Sequence, residues 1–278
     1  MSLFITSLNS GSNGNCYYIG NDTEAILVDA GISCREIEKR MKRLGLQMQM
    51  VKAVFISHEH TDHTSGLPVL ANKYQLPVYI RQATLNYCRP NLQRHLVASF
   101  TAYEPVRIGS LAVTAFPKFH DAADPYSFIV CCNKINVGVF TDIGTPCHHV
   151  VSNFQLCHAA FLEANYDESM LENGSYPYHL KKRIRGGQGH LSNMQALELF
   201  TKHKPSFMSH LLLSHLSKNN NCPQLVRQLF DQHAGTVKMI IASRYEESEV
   251  YQICASSTID APVRYRRVAA SQLTLAFV

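Results

Sequence analysis

The sequence predicts an α/β chain arranged in four layers, helix, sheet, sheet and helix. Three observations carry that expectation. A series of short apolar runs recurs along the chain, several of them nearly continuous, as in strands covered on both faces. Patterns of helical period lie between some of these runs. Strands follow one another in hairpin-like succession early and alternate with helices later. No internal repeat, low-complexity tract or long linker divides the chain, so residues 1–278 read as a single domain.

In chain order, "NSGSNGN" at 9–15 has the glycines and small polar side chains of a hairpin turn, and the same composition lets backbone amides approach an oxyanion. Ser12 and Asn13 within it are candidate substrate contacts. "AILVD" is a strand that ends on Asp29, and residues 34–44 follow with helical period. "AVFIS" runs into His58, a helical pattern covers 65–74, and "LPVYI" returns as a strand. "LAVTAF", "SFIVCC" and "INVGVF" come in succession, with a short turn in "CCNKIN" and Asp142 just past the last of them. "AAFLE" closes on Glu163. Residues 193–203 read as a helix whose start is an S-x-x-Q capping box of Ser192 and Gln195, two residues after His190 in "GGQGHLSN". "FMSHLLLS" leads into His215, Asn219, Asn220 and Asn221 make a turn, and Pro223 opens a helix over 223–233 before the strand "MIIAS". Asp29, His58, Asp142, Glu163 and His215 therefore gather where strands end, the arrangement of a shared active-site rim.

Composition narrows the function classes. With 46% hydrophobic and 17% charged residues the chain has material for a full core. It shows neither an apolar run long enough to span a membrane nor a signal peptide, so a cytoplasmic protein with no membrane partner is expected. Its nine cysteines are scattered, with no C-x-x-C pair, and read as reduced, mostly buried thiols rather than a zinc site. A formal charge of +5 permits a polyanionic partner. "KKRIR" at 181–185, which includes Arg185, reads equally as a track for a nucleic-acid backbone and as the solvated end of a helix. "RYRR" at 264–267 is assigned no role, and no ordered aromatic motif suggests sequence-specific readout of bases.

The strongest local signal is "SHEHTDH", which places His58, His60, Asp62 and His63 directly after a strand. Alternation at i and i+2 aims two imidazoles the same way, and a turn brings the next two groups to a neighbouring position. Imidazole nitrogen and carboxylate oxygen suit zinc, manganese or iron.

H-x-H-x-D-H after a strand, preceded by "VDAG" at 28–31 and followed by His120, Asp142 and His215, resembles the metallo-β-lactamase superfamily over residues 3 to about 255, leaving a tail at 256–278. The resemblance implies an αβ/βα four-layer sandwich with two central mixed β-sheets and two divalent metal ions at the sheet edges. It assigns one ion to His58, His60 and His120 and the other to Asp62, His63 and His215, with Asp142 bridging and Asp29 orienting the ligands from behind. Two cations that share a water lower its pKa and neutralise charge on the attacked centre, which says hydrolysis.

Spacing leaves no room for the tRNA-grasping arm of ribonuclease Z or for the inserted domain of β-CASP nucleases. "SLNSGSNGNCYYI", "KFHDAADPYSF", "LEANYDESML", "YPYHLKKRIRGGQGHLSN" and "LLLSHLSKNNN" instead resemble the YycJ/WalJ branch. That resemblance implies a 5′-to-3′ DNA exonuclease with a role in repair, in which an activated hydroxide attacks the phosphate, positioned or deprotonated by Asp62 and Asp142. By similarity to the "GHST" histidine of ribonuclease Z-like members, His190 is the acid for the leaving oxygen and Glu163 its partner, favouring the imidazolium. The alternatives are a small-molecule cyclic phosphodiesterase or lactonase on the same site, and a regulatory binding protein of cell-wall signalling.

Overall fold

The computed structural model describes residues 2–255, so the 256–278 tail with its RYRR run lies outside the described residues. The first half supplies strands β1 (Leu3–Asn9), β2 (Cys16–Gly20), β3 (Ala25–Val28), β4 (Val51–Phe55), β5 (Val78–Tyr79) and β6 (Val97–Ala98). Around them lie helices α1 (Cys34–Arg43), α2 (Thr61–Thr64), α3 (Leu67–Tyr74) and α4 (Gln82–Cys88). The second half supplies β7 (Val106–Ile108), β8 (Leu111–Pro117), β9 (Tyr126–Cys132), β10 (Ile135–Phe140), β11 (Ala159–Glu163), β12 (His210–Ser214), β13 (Lys238–Ile241) and β14 (Tyr251–Ile253). Its helices are α5 (His148–Phe154), α6 (Glu168–Asn173), α7 (Tyr178–Arg185), α8 (Asn193–His203) and α9 (Pro223–Asp231).

Two mixed seven-stranded sheets result, in the orders β14-β1-β2-β3-β4-β5-β6 and β13-β12-β11-β10-β9-β8-β7. In each, antiparallel pairs at one end (β14 through β3, and β7 through β10) give way to parallel pairs at the other. The expected change from hairpins to helix-connected strands thus occurs twice, once per sheet, rather than once along the chain. β14 returns to pair with β1, Leu3 opposite Ile253.

Alternation along the strands separates three apolar cores. Ile5, Tyr17, Phe55, Phe128, Phe161 and Leu212 pack between the sheets. Leu8, Tyr18, Leu27 and Val54 face Ile37, Met41, Leu67 and Leu70 of α1 and α3. Phe140, Leu162 and Leu213 face Val150, Phe200 and Phe230 of α5, α8 and α9. Both faces of each central strand are covered, which explains the unbroken apolar runs. The helices expected at 193–203 and 34–44 are α8 and α1, and the capping box is present: Ser192 Oγ accepts from Gln195 N–H while Gln195 Oε1 accepts from Ser192 N–H. The pattern at 65–74 starts at Leu67, and the one at 223–233 stops at Asp231. Of the nine cysteines, all free thiols, Cys16, Cys34, Cys132 and Cys157 are buried and the other five half-buried, so fewer are buried than expected.

Candidate metal centre

Register places the site. Val28 lies opposite Phe55, Phe140 opposite Leu162 and Glu163 opposite Ser214, so the parallel strands of both sheets end together. The chain turns sharply beyond three of these ends: Asp29, Asp142 and His215 have left-handed backbones, with φ of 61°, 56° and 57°. Such angles are uncommon for non-glycine residues and cluster at functional sites. All three side chains are buried, and all three point into one cluster.

One group joins His58, His60 and His120. His58 Nε2 lies 3.1 Å from His60 Nδ1, which is 3.4 Å from His120 Nε2. A second joins Asp62, His63, Asp142 and His215. Here His63 Nε2 is 3.2 Å from Asp142 Oδ2 and 3.5 Å from Asp62 Oδ2, and His215 Nε2 is 3.4 Å from both Asp142 Oδ1 and Asp62 Oδ2. Asp142 Oδ1 also lies 3.9 Å from His120 Nε2, between the groups.

Four of the five histidines in these two groups turn Nε2 inward because something outside holds Nδ1. Ser57 Oγ lies 2.9 Å from that nitrogen of His58, Asp29 Oδ2 2.7 Å from His63, the Gly189 carbonyl 3.0 Å from His120, and Glu163 Oε1 3.1 Å from His215. Ser57 ties two of these together, since Asp29 accepts from both its N–H and its hydroxyl. Fixing one ring nitrogen so that the other presents a lone pair is how proteins prepare imidazole for a cation.

Electrostatics fits divalent cations. Burial drives His58 far below the ordinary imidazole range and His120 down to about 3, leaving neutral donors. In the second group burial opposes protonation, but Asp142, Asp29 and Asp62 drive His63 well up, and Asp142, Asp62 and Glu163 raise His215 to about 10. Burial would raise Asp142, yet His215 and His63 hold it well below the carboxylate range. Its Oδ2 is buried, facing His63 Nε2 at 3.2 Å without a well-aligned hydrogen bond. A cluster so rich in carboxylate calls for positive charge, and divalent ions can take the place of the protons on these rings.

His190 stands beside the cluster. Its Nδ1 is 2.7 Å from Glu163 Oε1, and its ring stacks on that of His215 at 5.3 Å between centroids. Glu163 also accepts from the backbone N–H of Ile143 at 2.7 Å and of Leu191 at 3.3 Å. Burial works against its ionisation, but His190 and His215 bring its pKa down to about 2. The glycines before His190 serve the backbone: a Cβ on Gly189 would sit 2.1 Å from the Ile184 carbonyl of α7.

The other expected contacts lie apart from these groups. Arg185 Nη1 pairs with Glu172 at 2.7 Å, and α7 has no buried residue. Ser12 and Asn13 are exposed on the β1–β2 hairpin, where Asn13 Nδ2 donates to the Arg244 carbonyl. Asn221 is structural, its amide donating to the Ala164 and Asn165 carbonyls. Sequence reasoning missed Asn15, whose amide nitrogen lies 3.2 Å from Asp62 Oδ2 and 3.1 Å from His63 Nε2, although it is in the quoted glycine-rich loop. It also missed Ser57 and the buried Lys118, which donates to the Thr141 carbonyl at 2.6 Å and so supports the turn into Asp142.

Two facing mixed sheets with a histidine and aspartate cluster at their shared edge define the metallo-hydrolase class of four-layer sandwich. Residues 10–127 match the Metallo-beta-lactamase superfamily. The chain is 33% identical over 240 residues to exodeoxyribonuclease YycJ of Bacillus anthracis, covering 84% of this chain and 89% of that protein. It is 30% identical over 226 residues to exodeoxyribonuclease WalJ of Streptococcus pneumoniae, covering 78% and 83%. The chain belongs to the metallo-beta-lactamase superfamily, in its YycJ/WalJ-like branch. The metallo-beta-lactamase fold protein YhfI of Bacillus subtilis, 15% identical, shares the fold with a TM-score of 0.70, over 91% of this chain and 100% of that one.

Proposed function

We propose that the chain is a metal-dependent phosphodiesterase that acts as a 5′-to-3′ DNA exonuclease, with a role in DNA repair. Its centre would hold one ion at His58, His60 and His120 and another at Asp62, His63 and His215, with Asp142 available to both and Asp29 orienting the ligands from behind. Bound zinc, manganese or iron would supply Lewis acidity, lowering the pKa of water and neutralising charge on the phosphoryl group. Asp62 and Asp142 orient the attacking water and take its proton.

The observation that carries the reading is the His190–Glu163 pair. Glu163 is wholly buried and His190 is one-fifth exposed, so the carboxylate fixes a ring that still reaches substrate. With Nδ1 held by Glu163, Nε2 is the nitrogen that hands a proton to the leaving 3′ oxygen. A DNA strand leaves an alkoxide there, and a positioned acid beside the cluster meets that need. Support for nucleic acid comes from α7, whose exposed Lys182 and Arg183 lie on one flank of the centre, Arg183 pairing with Asp121 beside His120. The two relatives named exodeoxyribonucleases point the same way.

The test is degradation of 5′-phosphorylated, 3′-blocked DNA, beside a chromogenic phosphodiester, with each of zinc, manganese and iron. Mononucleotide release from the 5′ end is expected. Hydrolysis of the small diester alone would favour a small-molecule phosphodiesterase, and no hydrolysis with any metal would end the enzymatic reading.

A further inference from the structure

A cleft of about 320 Å³ opens immediately beyond His215. Leu216, Pro223, Ile241 and Ala242 give it apolar walls, and Arg244 and Tyr245 stand on its far side. Ser10 joins it to the centre, because the Ser10 hydroxyl accepts the N–H of His215 at 2.7 Å. The glycine-rich hairpin loop lies against it as well. Gly11 has φ of +146°, and a Cβ there would meet Arg244 Cβ at 3.2 Å and the Leu216 carbonyl at 3.6 Å.

Two features of this cleft point to a ligand. Arg244 Nη1 is buried with no hydrogen-bond partner, while Nη2 makes only a long contact, 3.5 Å, to Ser12 Oγ. A buried guanidinium donor without an acceptor calls for an anionic oxygen. Tyr245 is 71% exposed, with the Arg244 guanidinium over one side of its ring at 6.0 Å from the centroid, and its loop is firmly held: buried Arg40 donates to the Tyr245 carbonyl at 2.9 Å and to the Leu8 carbonyl at 2.7 Å. An aromatic ring held in solvent on an anchored loop is a stacking platform.

We propose that this cleft is a mononucleotide subsite, which seats the base and sugar of one nucleotide next to the scissile phosphate. The base stacks on Tyr245 and the apolar wall, and Arg244 binds that nucleotide's phosphate oxygen. The volume lies at the small end of ligand pockets, roughly 300–1,000 Å³, and so holds one nucleotide unit rather than a stretch of duplex. Stacking is tolerant of base identity, which matches the lack of a sequence-reading motif. The subsite rests on the phosphodiesterase reading and adds to it what the enzyme grips: the basic helix α7 flanks the centre near His120, whereas the cleft flanks it at His215.

The experiment compares metal-loaded wild type, Tyr245→Ala, Tyr245→Phe and Arg244→Ala on 5′-phosphorylated DNA and on methyl 4-nitrophenyl phosphate, which carries neither base nor sugar to fill the cleft. Both alanine variants are expected to lower kcat/KM on DNA about tenfold relative to kcat/KM on the small diester, through a rise in KM. Tyr245→Phe keeps the stacking face and restores the ratio. Deoxynucleoside 5′-monophosphate should compete with the small diester on wild type, and about tenfold less well on Tyr245→Ala. If wild type degrades DNA but the ratio does not move, or the mononucleotide fails to compete, the subsite is refuted alone. A wild type that cleaves the small diester and no DNA refutes the nuclease reading and the subsite together.

Discussion

Glu163→Gln is the substitution that best separates how this centre is held from what it does. The two carboxylate oxygens divide their work: Oε1 faces Nδ1 of His190 and of His215, while Oε2 accepts the backbone N–H groups of Ile143 and Leu191. Glutamine offers one acceptor and one donor in their place. Backbone N–H groups cannot change their role, so the amide oxygen stays with Ile143 and Leu191, and the NH₂ turns to the two rings. Both imidazoles must then accept at Nδ1 and carry their proton on Nε2. For His215 that places a hydrogen where the proposed metal needs a lone pair, and for His190 it removes the buried charge that fixes the ring. Losing the outer partner of a ligand costs about 10–100-fold in metal affinity, and losing a positioned acid costs about 10²–10⁴ in rate. The fold should survive, because the backbone acceptor remains; alanine would strand two buried N–H groups at about 1–3 kcal/mol each. Metal content after dialysis against limiting metal, measured by mass spectrometry beside phosphodiester turnover, is the assay. A folded Glu163→Gln protein with wild-type metal content and wild-type turnover would refute this account.

Three further outcomes are expected. His190→Ala should keep its metal and lose about 10²–10⁴ in turnover, and full turnover would remove His190 from the acid role. Gly189→Ala should lower the melting temperature by overpacking worth about 1–3 kcal/mol and reduce activity, since the Gly189 carbonyl holds His120 while its Cβ would strike Ile184; an unchanged melting temperature counts against that packing. His210, buried away from the centre, has its pKa lowered to about 4 by burial and by Lys238. It stays neutral in the fold while the unfolded chain takes up a proton below about pH 6.5, so its stabilisation is complete above that pH and is lost as pH falls towards 4, by up to about 3 kcal/mol. His210→Phe should flatten that part of the melting-temperature profile, and a parallel profile for both proteins would show that His210 does not contribute.

What could be read from the sequence was whatever local chain geometry determines. Four groups of "SHEHTDH" lie within one turn after a strand, and the capping box sits three residues apart, so spacing alone located both. Strands buried on both faces are legible because both faces of the pattern are apolar. The supporting partners were not, because only the tertiary fold brings them in. Asn15 meets Asp62 through the hairpin loop, Lys118 meets Thr141 across the sheet, and Arg40 binds chain from both ends of the molecule. Glu163 was found as the partner of His190 by resemblance, but its second hold, on His215, follows from adjacent strand ends and leaves no periodic trace.

The three left-handed corners at Asp29, Asp142 and His215 have a consequence for how such proteins can be altered. A backbone at these angles is most comfortable with glycine or asparagine, so a search for stabilising substitutions would be drawn to these positions, where a gain in melting temperature would come with a dismantled centre. Thermostability screens on this scaffold therefore need an activity or metal-retention filter from the first round.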